Sequence, residues 1–173
     1  MKTEIRDETA ADVQAIELVT SAAFMNAPHT GYNEHIIVRL LRDSGSLSVS
    51  LVADMEGSIL GHVAVSPVSI SSGFRHWFGL GPISVLPQWQ RRGIGSLLMH
   101  EALRRLRGTG AAGCVLLGDP RYYSRFGFRA EPELILPGVP AEYFQAITFG
   151  ASRPRGIVSY HCAFNAPTGP SGP

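Results

Sequence analysis

The stretch that most constrains this chain runs Gly81-Pro82-Ile83-Ser84-Val85-Leu86-Pro87-Gln88-Trp89-Gln90-Arg91-Arg92-Gly93-Ile94-Gly95-Ser96-Leu97-Leu98. It reads as a strand, a turn closed by proline, and a helix that opens between two glycines beside two arginines. The first turn of a helix leaves N–H groups without intrahelical partners and carries a partial positive charge, so an anion belongs there. Gly93 and Gly95 let a phosphate approach where a Cβ would stand in the way, and Arg91 and Arg92 add charge. The pattern predicts a diphosphate cradle built from the N–H groups of residues 91–96. The glycines alone leave open an ordinary tight turn between strand and helix.

The strand at 77–86 carries Gly79, Gly81 and Pro82, an odd set for the middle of a sheet because proline cannot donate to a ladder. A bulge or a local release from pairing is the expected remedy.

The order Val85-x-Pro87-x-x-Gln90-x-x-Gly93-x-Gly95 resembles the acetyl-CoA signature of the GNAT N-acetyltransferase superfamily, in which Gln/Arg-x-x-Gly-x-Gly/Ala follows a central strand. A second block, Gly118-Asp119-Pro120-Arg121-Tyr122-Tyr123-Ser124-Arg125-Phe126-Gly127-Phe128, is similar to that family's aromatic-Tyr-x-x-x-Gly-Phe element. The Gly-Asp-Pro opening and Tyr160-His161 further resemble the branch called YhbS-like, and the likeness runs over residues 2–164. The resemblance implies an α+β fold in αβα layers: a mixed, mostly antiparallel sheet, splayed at its central strands and flanked by helices. A pantetheine arm would fill the splay.

The remaining pattern fits that architecture. A strand at 4–6 precedes a helix capped by Thr9 or Asp12, with Val13, Ile16, Val19 and Phe24 at helical spacing and Pro28 beyond its end. A second helix spans 33–42, with Ile36, Ile37, Leu40 and Leu41 as its apolar face. Strands at 48–53 and 58–65 flank Asp54-Met55-Glu56-Gly57, a hairpin. The helix after Gly93 runs to about 107 and faces the sheet with Ile94, Leu97, Leu98, Ala102 and Leu106. A continuous apolar strand covers 114–117, Asp119-Pro120 starts a short helix, and Gly127 stops it. A helical turn is expected at 142–146 and a last strand at 157–164. One domain over 1–164 and a frayed tail at 165–173, rich in Pro, Gly and Ser, complete the expectation.

Charge excludes some functions. With 15 Lys and Arg against 14 Asp and Glu the formal net charge is +1, too even for a chain that coats nucleic acid. The basic cluster from Arg91 to Arg107 is expected to be a solvated helix face beside one bound anion. No apolar run approaches the roughly 20 residues of a membrane span, and residues 1–6 lack a signal-peptide core, so a cytoplasmic location is expected. Cys114 and Cys162 have no metal-like spacing, and no metal is expected. A Rossmann reading fails because Gly93-Ile94-Gly95-Ser96-Leu97-Leu98 lacks the final glycine of Gly-x-Gly-x-x-Gly.

With acetyl-CoA as co-substrate, the implied reaction is attack by a primary amine on a thioester, in a ternary complex. The resemblance assigns the cofactor to Ile83, Ser84, Val85, Arg91, Arg92, Gly93, Ile94, Gly95, Ser96 and Tyr123, with the Val85 N–H polarising the acetyl carbonyl. It makes Tyr123 the proton donor to the departing sulfur, a phenol of pKa ~10 being a reasonable acid toward a thiolate; Tyr122 is the alternative. No Asp or Glu lies on residues 81–86, where some family members carry a base. An alkylamine of pKa ~10.4 costs roughly 4.6 kcal/mol to deprotonate at pH 7, so Glu34, His35 and His62 are weighed as bases acting through water. For His62, on an apolar strand, a buried hydrogen bond is the plainer role. The acceptor, a small molecule or a protein amine, stays open. Homodimers are common among proteins of this kind. A non-catalytic acyl-CoA-binding module is the competing function.

Overall fold

The computed structural model describes residues 1–28 and 30–169. In chain order its elements are β1 (Glu4–Asp7), α1 (Val13–Phe24), α2 (Glu34–Asp43), β2 (Val49–Met55), β3 (Ser58–Pro67), β4 (Ser69–Ile70), β5 (Trp77–Val85), α3 (Ile94–Gly108), β6 (Gly113–Leu117), α4 (Pro120–Tyr123), β7 (Arg129–Ala130), β8 (Leu134–Ile135), β9 (Phe144–Thr148) and β10 (Gly156–Ser159). Among the described residues a seven-stranded sheet runs β1-β2-β3-β5-β6-β9-β7, and a small sheet runs β4-β10-β8. Every pairing in the large sheet is antiparallel except β5 with β6.

Side-chain alternation along β3 creates the layers. Val63 and Val65 turn toward α3 and pack with Leu98, Met99 and Leu103, whereas Ala64 turns the other way to Ile16 and Val19 of α1 and Val38 of α2. Leu51, Val52 and Ala53 of β2 are all fully buried because both faces of the sheet are covered. The β2–β3 hairpin closes on Glu56 and Gly57, both at positive φ, and the Asp54 carboxylate accepts the Gly57 N–H at 2.8 Å.

The helices form as expected but rotate relative to the expected faces. In α3 Leu97 is 46% exposed and Met99 and Leu103 are buried in its place; in α2 Leu40 is 40% exposed and Val38 is buried. A helix seated between two strands buries a stripe wider than one row, and the spacing of apolar residues alone leaves its centre undetermined. At 142–146 only a single 3-10 turn forms, Ala141–Tyr143, and the chain then extends into β9, where Phe144, Gln145 and Ala146 are buried against β6. The expected strand at 157–164 ends at Ser159, and a turn over Cys162–Asn165 follows, capped by His161 Nδ1 accepting the Ala163 N–H at 3.0 Å. Fraying was expected from 165. Instead Ala166 C=O accepts the Asn33 side-chain amide at 2.8 Å and the Gly169 N–H reaches Gly31 C=O at 2.9 Å; residues 170–173 lie outside the described residues.

A half-buried ionic cluster ties α2 to the sheet. Glu8 accepts from Arg42 Nε at 2.8 Å and Nη2 at 2.9 Å, and from the Ser50 hydroxyl at 2.6 Å. Ser50 also meets Nε2 of His62, which is fully buried. Burial works to raise the Glu8 pKa, but the bonds from Arg42, His62 and Ser50 outweigh it and hold the carboxyl well below the usual range. Burial pushes the His62 pKa down, against the pull of Glu8.

Both shifts make the fold acid-sensitive. A carboxylate depressed in the folded state contributes stability above its unfolded pKa of ~4.3 and loses it as pH falls further. The midpoint of urea unfolding is therefore expected to drop as pH falls from about 5 to about 3. Glu8→Gln, which leaves Arg42 without its counter-charge, is expected to cost roughly 3 kcal/mol at pH 7 and to flatten that acid dependence.

Candidate active site

The parting of β5 from β6 is the central feature. The two strands pair only at Trp77–Gly113, Phe78–Cys114 and Gly79–Val115, while β6 continues to Leu117 against β9 and β5 continues to Val85 against β3. Pairing with β6 ends at Gly79, and on the other side of β5 the ladder with β3 shifts register between Val63 and Val65, opposite Gly81 and Pro82. The expected bulge thus lies at Gly81-Pro82 on the β3 side, and the parting of strands lies on the β6 side.

The register decides which amides face the opening. Leu86 donates to Leu60 C=O at 2.9 Å, which makes Leu86–Leu60 a hydrogen-bonded pair and, two residues back, Ser84–His62 another. Ile83 and Val85 occupy the alternate positions and turn their N–H groups away from β3, toward the splay. Ser84 is the correction to the expected cofactor set. Its backbone is committed to β3, and its side chain, 3% exposed, lies on the α1 side with Oγ 3.3 Å from Thr20 Oγ1.

Beyond β5 the chain folds back through a 3-10 turn, Pro87–Trp89, into α3. The Gln90 side-chain amide donates to Val85 C=O at 3.0 Å and pins this turn to the strand end. Gly93 takes the N-cap at φ +84°, and no side chain caps the helix. That dihedral favours glycine, and the free N–H groups of the first turn, among them those of Ile94, Gly95 and Ser96, remain for an incoming anion. The Ile94 side chain is buried in the core, so only its backbone can serve. Arg91 and Arg92 are exposed, with Arg92 lying over the Trp89 ring at 4.9 Å. Arg125, which the sequence did not single out, stacks over Tyr122 at 4.4 Å, and the Tyr122 hydroxyl lies 3.0 Å from where a Cβ on Gly95 would sit. A third arginine thus flanks the same turn.

A cavity of about 680 Å³ opens at the splay, lined by Leu80, Gly81, Pro82 and Ile83 on one side and by Leu117 and Tyr123 on the other. It extends past α1 and α2 at Phe24, Glu34 and Ile37, and past the C-terminal segment at Tyr160 and Phe164. The turn at residues 91–96 lies outside it, on the open surface.

Tyr123 packs edge-on against Tyr122 and Phe128, and its ring lies over Gly118. Burial, with a smaller contribution from Tyr122, pushes its pKa up to about 12, so the phenol stays protonated through the working pH range. Asp119 starts α4 by accepting the Arg121 N–H at 2.9 Å, which fixes the turn that carries Tyr123. Of the residues weighed as bases, Glu34 lines the cavity, whereas His35 is not part of its wall and His62 is held in the Glu8 cluster. Among the described residues no three His, Cys, Asp or Glu side chains gather as metal ligands, and no helix is long and apolar enough to cross a membrane.

Gly118→Ala tests how the phenol is placed. A Cβ there would fall 2.3 Å from the Tyr123 ring, which must then move. The substitution is expected to lower thermal stability by roughly 1–3 kcal/mol and to bring the Tyr123 phenol nearer an ordinary pKa in an ultraviolet pH titration.

Comparison with known proteins agrees with this geometry. The family model "Acetyltransferase (GNAT) domain" matches residues 46–130. The uncharacterized N-acetyltransferase YhbS of Escherichia coli strain K12 is 33% identical over 168 residues, spanning 93% of this chain and 98% of that protein. Among solved structures, a GNAT family acetyltransferase from Brucella melitensis in complex with acetyl-CoA is 47% identical with a TM-score of 0.84, covering 94% of this chain and 98% of the other. Escherichia coli YhbS in complex with CoA superposes with a TM-score of 0.85 at 33% identity, over 100% of this chain and 97% of the other.

Proposed function

We propose, since the chain belongs to the GNAT acetyltransferase family, that it carries an acetyl group from acetyl-CoA to a primary amine by direct attack, with both substrates bound together. Family membership makes it an acetyl-CoA-dependent acyltransferase. The observation that supports direct attack is the splay itself: one continuous cavity joins the β5 edge, where the thioester would lie, to Tyr123 and to the walls of α1 and α2, where an acceptor would enter. No protein nucleophile needs to carry the acetyl group between them.

In this reading the pyrophosphate of the donor rests on the free N–H groups that follow Gly93, with Arg91, Arg92 and Arg125 as counter-charge. The pantetheine arm runs along β5 and takes the place of the missing ladder through the amides of Ile83 and Val85. Val85 N–H polarises the acetyl carbonyl, a fixed donor being effective where water is excluded. The amine nitrogen forms its bond to the carbonyl carbon, the carbon–sulfur bond breaks with its electron pair on sulfur, and the Tyr123 hydroxyl supplies the proton that makes the thiol. The ammonium nitrogen gives up two protons in all: one leaves to solvent before attack, and the second, lost after attack, returns through water to the Tyr123 oxygen and restores the phenol.

Tyr123→Phe is expected to lower kcat for thiol release by about 100-fold or more while calorimetric affinity for acetyl-CoA changes less than about two-fold. Undiminished turnover would remove Tyr123 from the chemistry. Because the phenol titrates near 12, the wild-type rate is expected to climb with pH as the free amine becomes available and to show no decline up to about pH 10.5.

A further inference from the structure

Glu34 is the one carboxylate in the cavity wall, and no lysine, arginine or histidine lines the cavity among the described residues. It stands at the first position of α2, and its Oε1 accepts from the Thr30 hydroxyl, which in turn accepts the Tyr32 N–H at 3.0 Å. That chain of bonds orients the carboxylate. Its second oxygen, Oε2, is buried with no partner among the described residues. An acceptor atom withdrawn from water and left without a donor is costly, and a charged one more so, unless a ligand supplies the donor.

The surroundings define that ligand. Phe24, Ile37, Leu136, Val139 and Phe164 give the wall an apolar and partly aromatic character, and aromatic faces also attract a cation. An acceptor carrying its own carboxylate would bring a second negative charge beside Glu34 with no cation to answer it. A polyamine would place further ammonium groups against hydrocarbon. A single ammonium on an apolar body satisfies both constraints.

We propose that Glu34 is the specificity-determining anchor of the acceptor, and that the acceptor is a small primary amine on an apolar body without a carboxylate. This rests on the transferase reading above and names the substrate class for the same cavity. The Glu34 side chain turns Oε2 out into the cavity to take a hydrogen bond from the ammonium, the apolar walls hold the body, and the nitrogen is presented toward the β5 edge. Arg42, near the far end of α2, bonds Glu8 and holds the helix on which Glu34 stands.

The test uses the whole chain saturated with CoA and three probes of one shape: 2-phenylethylamine, 2-phenylethanol and phenylalanine. By calorimetry, Glu34→Gln is expected to weaken 2-phenylethylamine by about 30-fold or more and to leave 2-phenylethanol unchanged. In acetyl transfer the same variant is expected to raise KM for 2-phenylethylamine far more than it lowers kcat. Wild-type kcat/KM for phenylalanine should be at least about 30-fold poorer, a gap that shrinks in the variant. Equal binding of 2-phenylethylamine to both proteins, a parallel loss of 2-phenylethanol, or a wild-type preference for phenylalanine would each overturn the anchor. Ammonium binding that depends on Glu34, in a protein that acetylates none of the amines, would support the anchor and overturn the transferase reading instead.

Discussion

Everything at this site follows from a sheet that fails to close. The ladder between β5 and β6 stops at Gly79–Val115, three residues before Pro82, and the strands diverge. The divergence leaves the outward amides of Ile83 and Val85 without a neighbouring strand and opens the cavity between residues 80–83 and Tyr123. Unpaired main-chain groups in a folded protein need partners, and an extended arm that can bond them is the economical answer. In the proposed reaction the parted strands would supply both the space for a thioester and an amide to polarise it.

The elements around the opening are held independently of it. On one face α3 is fixed by a broad apolar contact with β2 and β3; on the other α1 and α2 pack on Val52, Ile59 and Ala64. The Glu8–Arg42–Ser50–His62 cluster adds a polar fastening between α2 and the sheet. His62 is therefore spent on architecture. Its ring is fully buried in the sheet and is not part of the cavity wall that an acceptor would touch.

What the residues disclose on their own depends on range. The turn after Gln90, the helix after Gly93 and the start of α4 at Asp119-Pro120 are legible because local chemistry determines them: positive φ, a carboxylate cap, a proline at the first helical position. The break in β5 is legible for the same reason. Ser84 was misassigned because facing inward or outward turns on a one-residue ladder register set by β3. Strand β9 was hidden because it buries a glutamine, Gln145, whose side-chain NH2 donates to Gly118 C=O at 3.0 Å, a partner 27 positions away, while its Oε1 has no partner among the described residues. Glu34 is legible in the sequence only as one of three candidate bases; its meeting with Tyr123 and Tyr160 in one cavity is a property of the assembled layers.

The Gln90 carboxamide joins two parts of the site that would otherwise be separate. By bonding Val85 C=O it makes the turn before α3 and the end of β5 a single lever, so force applied at one is felt at the other. A donor that grips the helix with its nucleotide half would steady Val85, the residue whose N–H is proposed to face the reacting carbonyl. A shortened thioester, lacking that half, would then forfeit speed as well as grip, because remote contacts would be contributing to the alignment of the bond being broken.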